Sequence, residues 1–230
     1  MNTLIFLPCF NDNDTVSGLV DDILSSYKAD CLVIDDGSSL PINLEEKNKN
    51  IILYRFERNQ GIGVCSAVAL NYAKKYKYEQ FIRIDSDGEH KVSDIKRLIK
   101  EAKTSKSNVV VGQRTNYNKN EHALDLLKNI GKEFINSSSR KLTNTELHDW
   151  WSGFMYFDKE AINALSSCRP GTYPEAEYYL NAIDKNLKIT NIDIKQNIRD
   201  GKSTMSLKRG IIVFLRFCIV ALSYMIKRRV

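Results

Sequence analysis

Leu4-Ile-Phe-Leu-Pro-Cys-Phe-Asn-Asp-Asn-Asp-Thr-Val-Ser-Gly-Leu-Val-Asp-Asp-Ile-Leu24, followed shortly by Cys31-Leu-Val-Ile-Asp-Asp-Gly-Ser-Ser39, holds one complete strand-helix-strand unit. Leu4 to Leu7 and Cys31 to Ile34 are short continuous apolar runs, the signature of strands covered on both faces. Between them Val16, Leu19, Val20, Ile23 and Leu24 repeat at helical spacing behind Asp14 as the expected cap. The alternation continues with apolar runs at Ile51 to Phe56, Phe81 to Ile84 and Val109 to Val111, and helical stretches at Val64 to Tyr76 and Val92 to Ala102. This pattern predicts an α/β fold with a mostly parallel central sheet flanked by helices. Ligands of such sheets sit beyond the carboxyl ends of the strands.

After Arg114 the regularity fades into a polar stretch, Thr115 to His122, a helix-like run from Ala123 to Leu142, and Asp149-Trp-Trp-Ser-Gly-Phe154. This half reads as parts added around a site. Lys159 to Leu165 and Ala176 to Lys185 read as helices, and Lys188 to Ile194 as a late strand.

With 230 residues, 43% hydrophobic and 27% charged, the chain can bury a real core, and 11 Gly with 4 Pro exclude a collagen-like or disordered protein. Charge is unevenly spread. Arg199 to Val230 carries 8 basic and 1 acidic residues, leaving 26 and 27 for the rest, so a tail of +7 follows a body of −1. The near-neutral body argues against a nucleic-acid-binding face spread over the fold, and the tail suits an anionic membrane surface. The five cysteines, Cys9, Cys31, Cys65, Cys168 and Cys218, form no CxxC pair and fit a reduced, cytoplasmic setting. The start has no basic n-region and Pro8 breaks its apolar run, so it reads as the first buried strand rather than a secretory signal.

Ile211 to Ile226 is apolar apart from Arg216 and two hydroxyl residues. As a helix it would reach about 24 Å against a hydrocarbon core of about 30 Å, too short to span. Arg209, Arg216 and Ser223 recur every seven residues and give a narrow polar stripe, with Lys227, Arg228 and Arg229 behind it. Residues 209–230 are therefore expected to form a basic amphipathic helix lying in the membrane interface. A terminal helix docked on the body or on a partner protein of the membrane is the other reading of the same pattern.

Two acidic clusters stand where predicted strands end: Asp35-Asp36-Gly-Ser-Ser39 and Asp85-Ser-Asp87-Gly-Glu89-His90. Alternate carboxylates leaving a strand can point the same way, and they repel unless a cation or proton joins them. A hard divalent ion held by a few carboxylates plus substrate phosphates is the usual Mg²⁺ arrangement. Glu89 offers a third oxygen, and His90 a nitrogen more suited to Mn²⁺. A solvated turn is the plain alternative. An EF-hand starting at Asp85 is excluded by His90 and Lys96 at its sixth and twelfth positions. An aspartyl-nucleophile phosphatase would carry its DxD first and an acidic pair late, the reverse of this order. Gly61-Ile-Gly63 lacks a third glycine at Ser66, which disfavours a dinucleotide-binding domain.

Taken together, Pro8-Cys-Phe10-Asn11-Asp12, Asp35-Asp36-Gly37-Ser38, Arg58-Asn59-Gln-Gly61-Ile-Gly63 and Asp85-Ser-Asp87-Gly-Glu89-His90 resemble family 2 glycosyltransferases of the GT-A (Rossmann-like) fold. The subgroup most resembled is dolichol-phosphate mannosyltransferase and its bacterial polyprenyl-phosphate relatives. Gly112-Gln-Arg114, Asp149 to Phe154, Glu175-Ala-Glu177 and Arg199-Asp-Gly201-Lys-Ser203 extend the likeness, so residues 1–208 are expected to form the transferase domain. The resemblance implies that Pro8, Phe10 and Asp36 line the nucleotide base and that Asp12 sits near the ribose or phosphates. It implies that Asp85 and Asp87 hold Mg²⁺ or Mn²⁺ on the diphosphate, with Glu89 at the third metal position. Arg114 matches an arginine near the acceptor phosphate, Arg199 and Ser203 a loop closing over the donor, and Asp149, Glu175 and Glu177 groups facing the sugar.

These assignments make chemical sense. Departure of a nucleoside diphosphate from C1 develops negative charge that a cation can stabilise. A lipid phosphate acceptor is already anionic and needs positioning, by Arg114 and Lys128, more than it needs a base. A glycan hydroxyl would need one, for which Asp149 or Glu177 is the candidate. The resemblance implies inverting, metal-dependent transfer from a UDP- or GDP-linked sugar to a polyprenyl phosphate at the inner membrane face. A glycan hydroxyl acceptor, or a non-catalytic nucleotide-sugar-binding scaffold, is the alternative. The chain departs from the family pattern at Ile62, at Glu89 and at Thr204 after Ser203.

Overall fold

The apolar runs become the strands of one sheet: β1 (Thr3–Cys9), β2 (Asp30–Asp35), β3 (Ile51–Arg55), β4 (Gln80–Arg83), β5 (Val109–Arg114), β6 (Met155–Asp158) and β7 (Ile189–Ile194). The computed structural model describes residues 2–44, 48–115, 147–171 and 174–195, with single positions between 133 and 145 and between 215 and 226. The spatial order is β3-β2-β1-β4-β6-β5-β7. β1 pairs in parallel with β2 and β4, β2 with β3, and β5 with β7; β6 runs antiparallel between β4 and β5. Among the described residues five helices are delimited: α1 (Asn13–Ser26), α2 (Ile62–Lys75), α3 (Ser93–Ser105), α4 (Lys159–Leu165) and α5 (Glu175–Asp184).

The two-residue period of the strands sorts their side chains into two cores. Leu4, Phe6, Leu32, Ile34, Phe81, Val109, Val111 and Phe157 face α2, α4 and α5. Ile5, Leu7, Cys31, Val33, Ile82, Val110 and Tyr156 face α1 and α3. The sheet is thus covered on both sides at its centre, where β1 and β2 are buried along nearly their whole length, while β3 and β7 at its edges are largely part-exposed.

Two expectations change. Asp14 lies within the first turn of α1, while Asp12 precedes the helix and makes no side-chain capping bond; its carboxylate is used elsewhere. β6 was not expected, because an antiparallel strand inserted late into a parallel sheet breaks the strand-helix rhythm on which the sequence reading rests. Its consequence is that residues 149–154, which lead into β6, arrive at the same end of the sheet as the carboxyl ends of β4 and β5.

Most of 209–230 lies outside the described residues. The positions described there, Leu215, Cys218, Ile219, Leu222 to Tyr224 and Ile226, are helical. Tyr224 is buried in the core beside α2, α4 and α5, whereas Leu215, Ile219, Leu222 and Ile226 are exposed. Among the described residues no helix is long and apolar enough to cross a membrane.

Candidate active site

The acidic clusters meet beyond the carboxyl ends of β1, β2 and β4, and short hydrogen bonds tie them together. Asn11, at φ 62°, donates its backbone N–H to Ser38 Oγ (2.9 Å) and accepts from the Ser39 N–H (2.9 Å), joining the β1 and β2 turns. Asp35 is fully buried and accepts the Ser38 N–H (2.8 Å) and the Arg55 guanidinium (2.5 Å). Burial works to raise its carboxyl, and the bonds from Ser38, Ile42 and Arg55 outweigh it, so its pKa lies below the usual value. Both Asp36 oxygens accept backbone N–H groups, from Gln60 (2.7 Å) and Gly61 (2.9 Å). Asp36 therefore shapes the loop that opens α2. Pro8 is buried and Phe10 is exposed at the mouth.

Ser86, the middle residue of the DxD, is anchored to β1. Its hydroxyl lies 2.8 Å from the Pro8 carbonyl and 2.6 Å from Asp12 Oδ2, and its carbonyl accepts from Thr15 Oγ1 (2.7 Å). With the middle residue pinned, Asp85 and Asp87 flank it, both partly accessible. The Nε and Nη2 of Arg83 donate to Asp85 Oδ1 (3.3 and 3.0 Å), and His90 Nε2 lies 3.8 Å from its Oδ2. The His90 ring stacks on Phe154 at 4.9 Å. Burial pushes the Asp85 carboxyl up, but the Arg83 charge, aided by His90, holds it well below the carboxylate range. In the turn after Asp87, with Gly88 at φ 76°, the Glu89 N–H donates to Asp87 Oδ1 (3.1 Å).

Carboxylate oxygens are the donors that Mg²⁺ and Mn²⁺ favour. Among the described residues no three His, Cys, Asp or Glu side chains form a metal-holding group. The expected set of Asp85, Asp87 and Glu89 is thus not gathered at one point. The site fits instead a cation that takes one or two carboxylates and completes its shell with substrate phosphates.

Across the sheet, Arg114 at the end of β5 pairs with buried Asp149: Nε to Oδ2 at 2.5 Å and Nη2 to Oδ1 at 2.9 Å. The Trp151 N–H also donates to Asp149 Oδ1 (3.3 Å). Gln113 holds this segment to β5, its Oε1 accepting the backbone N–H groups of His148 and Asp149. Ser152 Oγ donates to the Gly112 carbonyl (2.5 Å). Trp150 is fully buried in the core, its indole N–H on the Leu147 carbonyl (3.0 Å). Glu175 and Glu177, which open α5, part company: Glu175 is buried and accepts from Arg83 Nη1 (2.7 Å), while Glu177 is half-buried and accepts the Gly171 N–H at 3.2 Å. Of the pair, it is Glu175 that reaches the DxD strand. Arg199, Ser203 and Lys128 lie outside the described residues. Sequence reasoning missed Arg83 altogether, and its one signal is a charge inside the apolar run Phe81 to Ile84.

The model of glycosyl transferase family 2 matches residues 4–166. The chain belongs to that family. It is accordingly a glycosyltransferase, with the expected GT-A fold. The UDP-N-acetylglucosamine–dolichyl-phosphate N-acetylglucosaminyltransferase of Methanococcus voltae is 24% identical over 97% of this chain and 95% of its own. The uncharacterized protein MJ1222 of Methanocaldococcus jannaschii is 24% identical over 83% of this chain and 79% of its own. Glucosyl-3-phosphoglycerate synthase from Mycobacterium tuberculosis, solved with Mn²⁺, UDP and glucosyl-3-phosphoglycerate, shares the fold with a TM-score of 0.73 at 14% identity, over 97% of this chain and 79% of that one.

Proposed function

We propose that this family 2 enzyme moves a sugar from a nucleoside-diphosphate donor to a polyprenyl phosphate in one displacement that inverts C1. An acceptor phosphate oxygen bonds to C1 as the C1–O bond to the diphosphate breaks, and the diphosphate leaves with the electron pair. Asp85 and Asp87 would hold Mg²⁺ or Mn²⁺, which supplies Lewis-acid stabilisation of the leaving charge when bound. Phe10, exposed beside β1, offers a face for the base, and Asp12 with Ser86 sets the strand end on which the diphosphate would rest.

The observation that carries the acceptor assignment is the Arg114–Asp149 pair. Asp149 is buried with both oxygens engaged by one guanidinium, so it orients Arg114 rather than presenting a lone pair to a proton. A hydroxyl acceptor needs a base, whereas a phosphate needs a fixed cationic fork, and a guanidinium has five donors in a rigid plane. The dolichyl phosphate in the name of the Methanococcus relative supports the same acceptor class.

A lipid acceptor brings the enzyme to a membrane surface. The exposed positions Leu215, Ile219, Leu222 and Ile226 follow helical spacing, and Lys227 to Arg229 come next. An apolar stripe beside basic residues is the pattern of an interfacial helix on anionic lipid. The test is to supply UDP- and GDP-linked sugars with polyprenyl phosphate in vesicles, with Mn²⁺ or chelator. Formation of a glycosyl phospholipid in Mn²⁺ supports the proposal; transfer only to glycan hydroxyls, or to nothing, contradicts it.

A further inference from the structure

Arg83 is 2% exposed at the end of β4, on the sheet face covered by α5, and it serves two carboxylates at once. Nη1 donates to Glu175, while Nε and Nη2 both donate to the same oxygen of Asp85, Oδ1. Gly153 closes the group from the other side: a Cβ there would lie 2.6 Å from Arg83 Nη2 and 2.8 Å from Asp85 Oδ2. This is not the usual geometry of an arginine beside a carboxylate. A guanidinium with one partner tends to form a fork, one N–H on each oxygen. Here Glu175 holds Nη1, the side-on pair Nε and Nη2 both rest on Oδ1, and Oδ2 has His90 Nε2 at 3.8 Å.

We infer that Glu175 is a positioning residue that, by holding Arg83 at Nη1, fixes the guanidinium on Oδ1 of Asp85 and so sets the place of the carboxylate that the donor-bound cation would share with His90 beside Oδ2. This rests on the cation role of Asp85 proposed above. The electrostatics act in the same direction. Shared between two carboxylates, the Arg83 charge cancels less of Asp85 than it would alone, so Asp85 keeps more attraction for a divalent ion. Glu175 and Asp85 come from segments far apart in the chain, and Arg83 makes them one unit.

The test uses the full chain with Glu175→Gln, which keeps the shape and an acceptor for Nη1 but removes the charge. UDP and GDP binding is measured by calorimetry across a Mn²⁺ series and in chelator, with circular dichroism to confirm folding. The Mn²⁺ concentration for half-maximal enhancement of nucleotide binding should rise about tenfold, the scale seen when groups supporting a metal ligand are changed. Binding in chelator should stay within about twofold, again far below that scale. A general loss of structure would weaken both. Arg83→Lys, a point charge unable to serve two carboxylates in a plane, should shift the Mn²⁺ series the same way. Unchanged Mn²⁺ dependence in both variants, or equal loss with and without Mn²⁺, overturns the inference alone. Wild-type binding indifferent to Mn²⁺, or absent, overturns the cation reading together with it.

Discussion

The two halves of the site differ in the bonds that dominate them. Around β1, β2 and β4, carboxylates and hydroxyls accept backbone N–H groups of neighbouring turns: Asp36 from Gln60 and Gly61, Ser38 from Asn11, Asp87 from Glu89. Around β5 and α5, ion pairs between distant side chains, Arg114 with Asp149 and Arg83 with Glu175, are added to the backbone groups that Gln113 and Ser152 hold. The backbone fastenings of the first half sit on the motifs that make the turns, although those of Asp36 and Ser38 join turns 24 to 27 residues apart. Side-chain pairs depend on the topology that brings residues together, and β6 supplies that topology.

If this contrast is right, substitutions in the first half should act on chemistry and stability one at a time, and those in the second half should spread. Asp87→Ala carries the largest expected effect: turnover should fall by about a thousandfold or more, the scale of removing a preorganised transition-state contact. Near-normal turnover in saturating Mn²⁺ would remove Asp87 from the account.

Asp35→Asn probes a carboxylate that shapes the site without touching substrate. Asp35 is buried while Arg55 is exposed, so losing its charge-assisted bonds costs about 1.5–3 kcal/mol, measured by denaturant unfolding near neutral pH. The pKa of Asp35 is depressed in the folded chain, so its stabilisation is present above the unfolded value of about 4 and is lost as pH falls below it. The gap between wild type and variant should therefore close in acid. A gap that is constant with pH would show that packing, not the carboxylate charge, is at stake.

Gly153→Ala tests the second half. Its Cβ would press on Arg83 and Asp85 together, and overpacking of this kind costs about 1–3 kcal/mol. Stability and Mn²⁺-dependent nucleotide binding should fall together; loss of stability with normal binding would uncouple Gly153 from the DxD. The smallest effect is outside both halves. Ile219→Asp with Leu222→Asp should weaken binding to anionic vesicles about tenfold, since interfacial binding scales with buried apolar area, and leave nucleotide binding alone. Undiminished sedimentation with vesicles would remove the interfacial helix.

The same contrast explains what could be read from the sequence. Strand-length apolar runs and the helical repeat of Val16 to Leu24 led to β1, α1 and β2, because local period alone decides burial there. The DDGS and DSDGEH turns were recognisable because their chemistry is contiguous. Asp36 was expected at the base; that its two oxygens also hold the loop before α2 could not be read, since the pairing spans 24 residues and leaves no periodic trace. The Arg83–Glu175 pair spans 92 residues. Nothing in the Glu175-Ala-Glu177 segment itself distinguishes the glutamate that turns inward from the one that faces Gly171. β6 was hidden for a related reason: Met155 to Asp158 is four residues long, and its place in the sheet is fixed by partners on either side rather than by its own pattern.

In the proposed reaction a phosphate oxygen attacks C1 opposite the departing diphosphate. This step is tested most directly by nuclear magnetic resonance of the product formed from an α-linked nucleotide sugar and a polyprenyl phosphate. A β-linked glycosyl phosphate is expected, with the anomeric carbon coupled to phosphorus. An α-linked product, or a sugar attached through a hydroxyl oxygen with no phosphorus coupling, would contradict it.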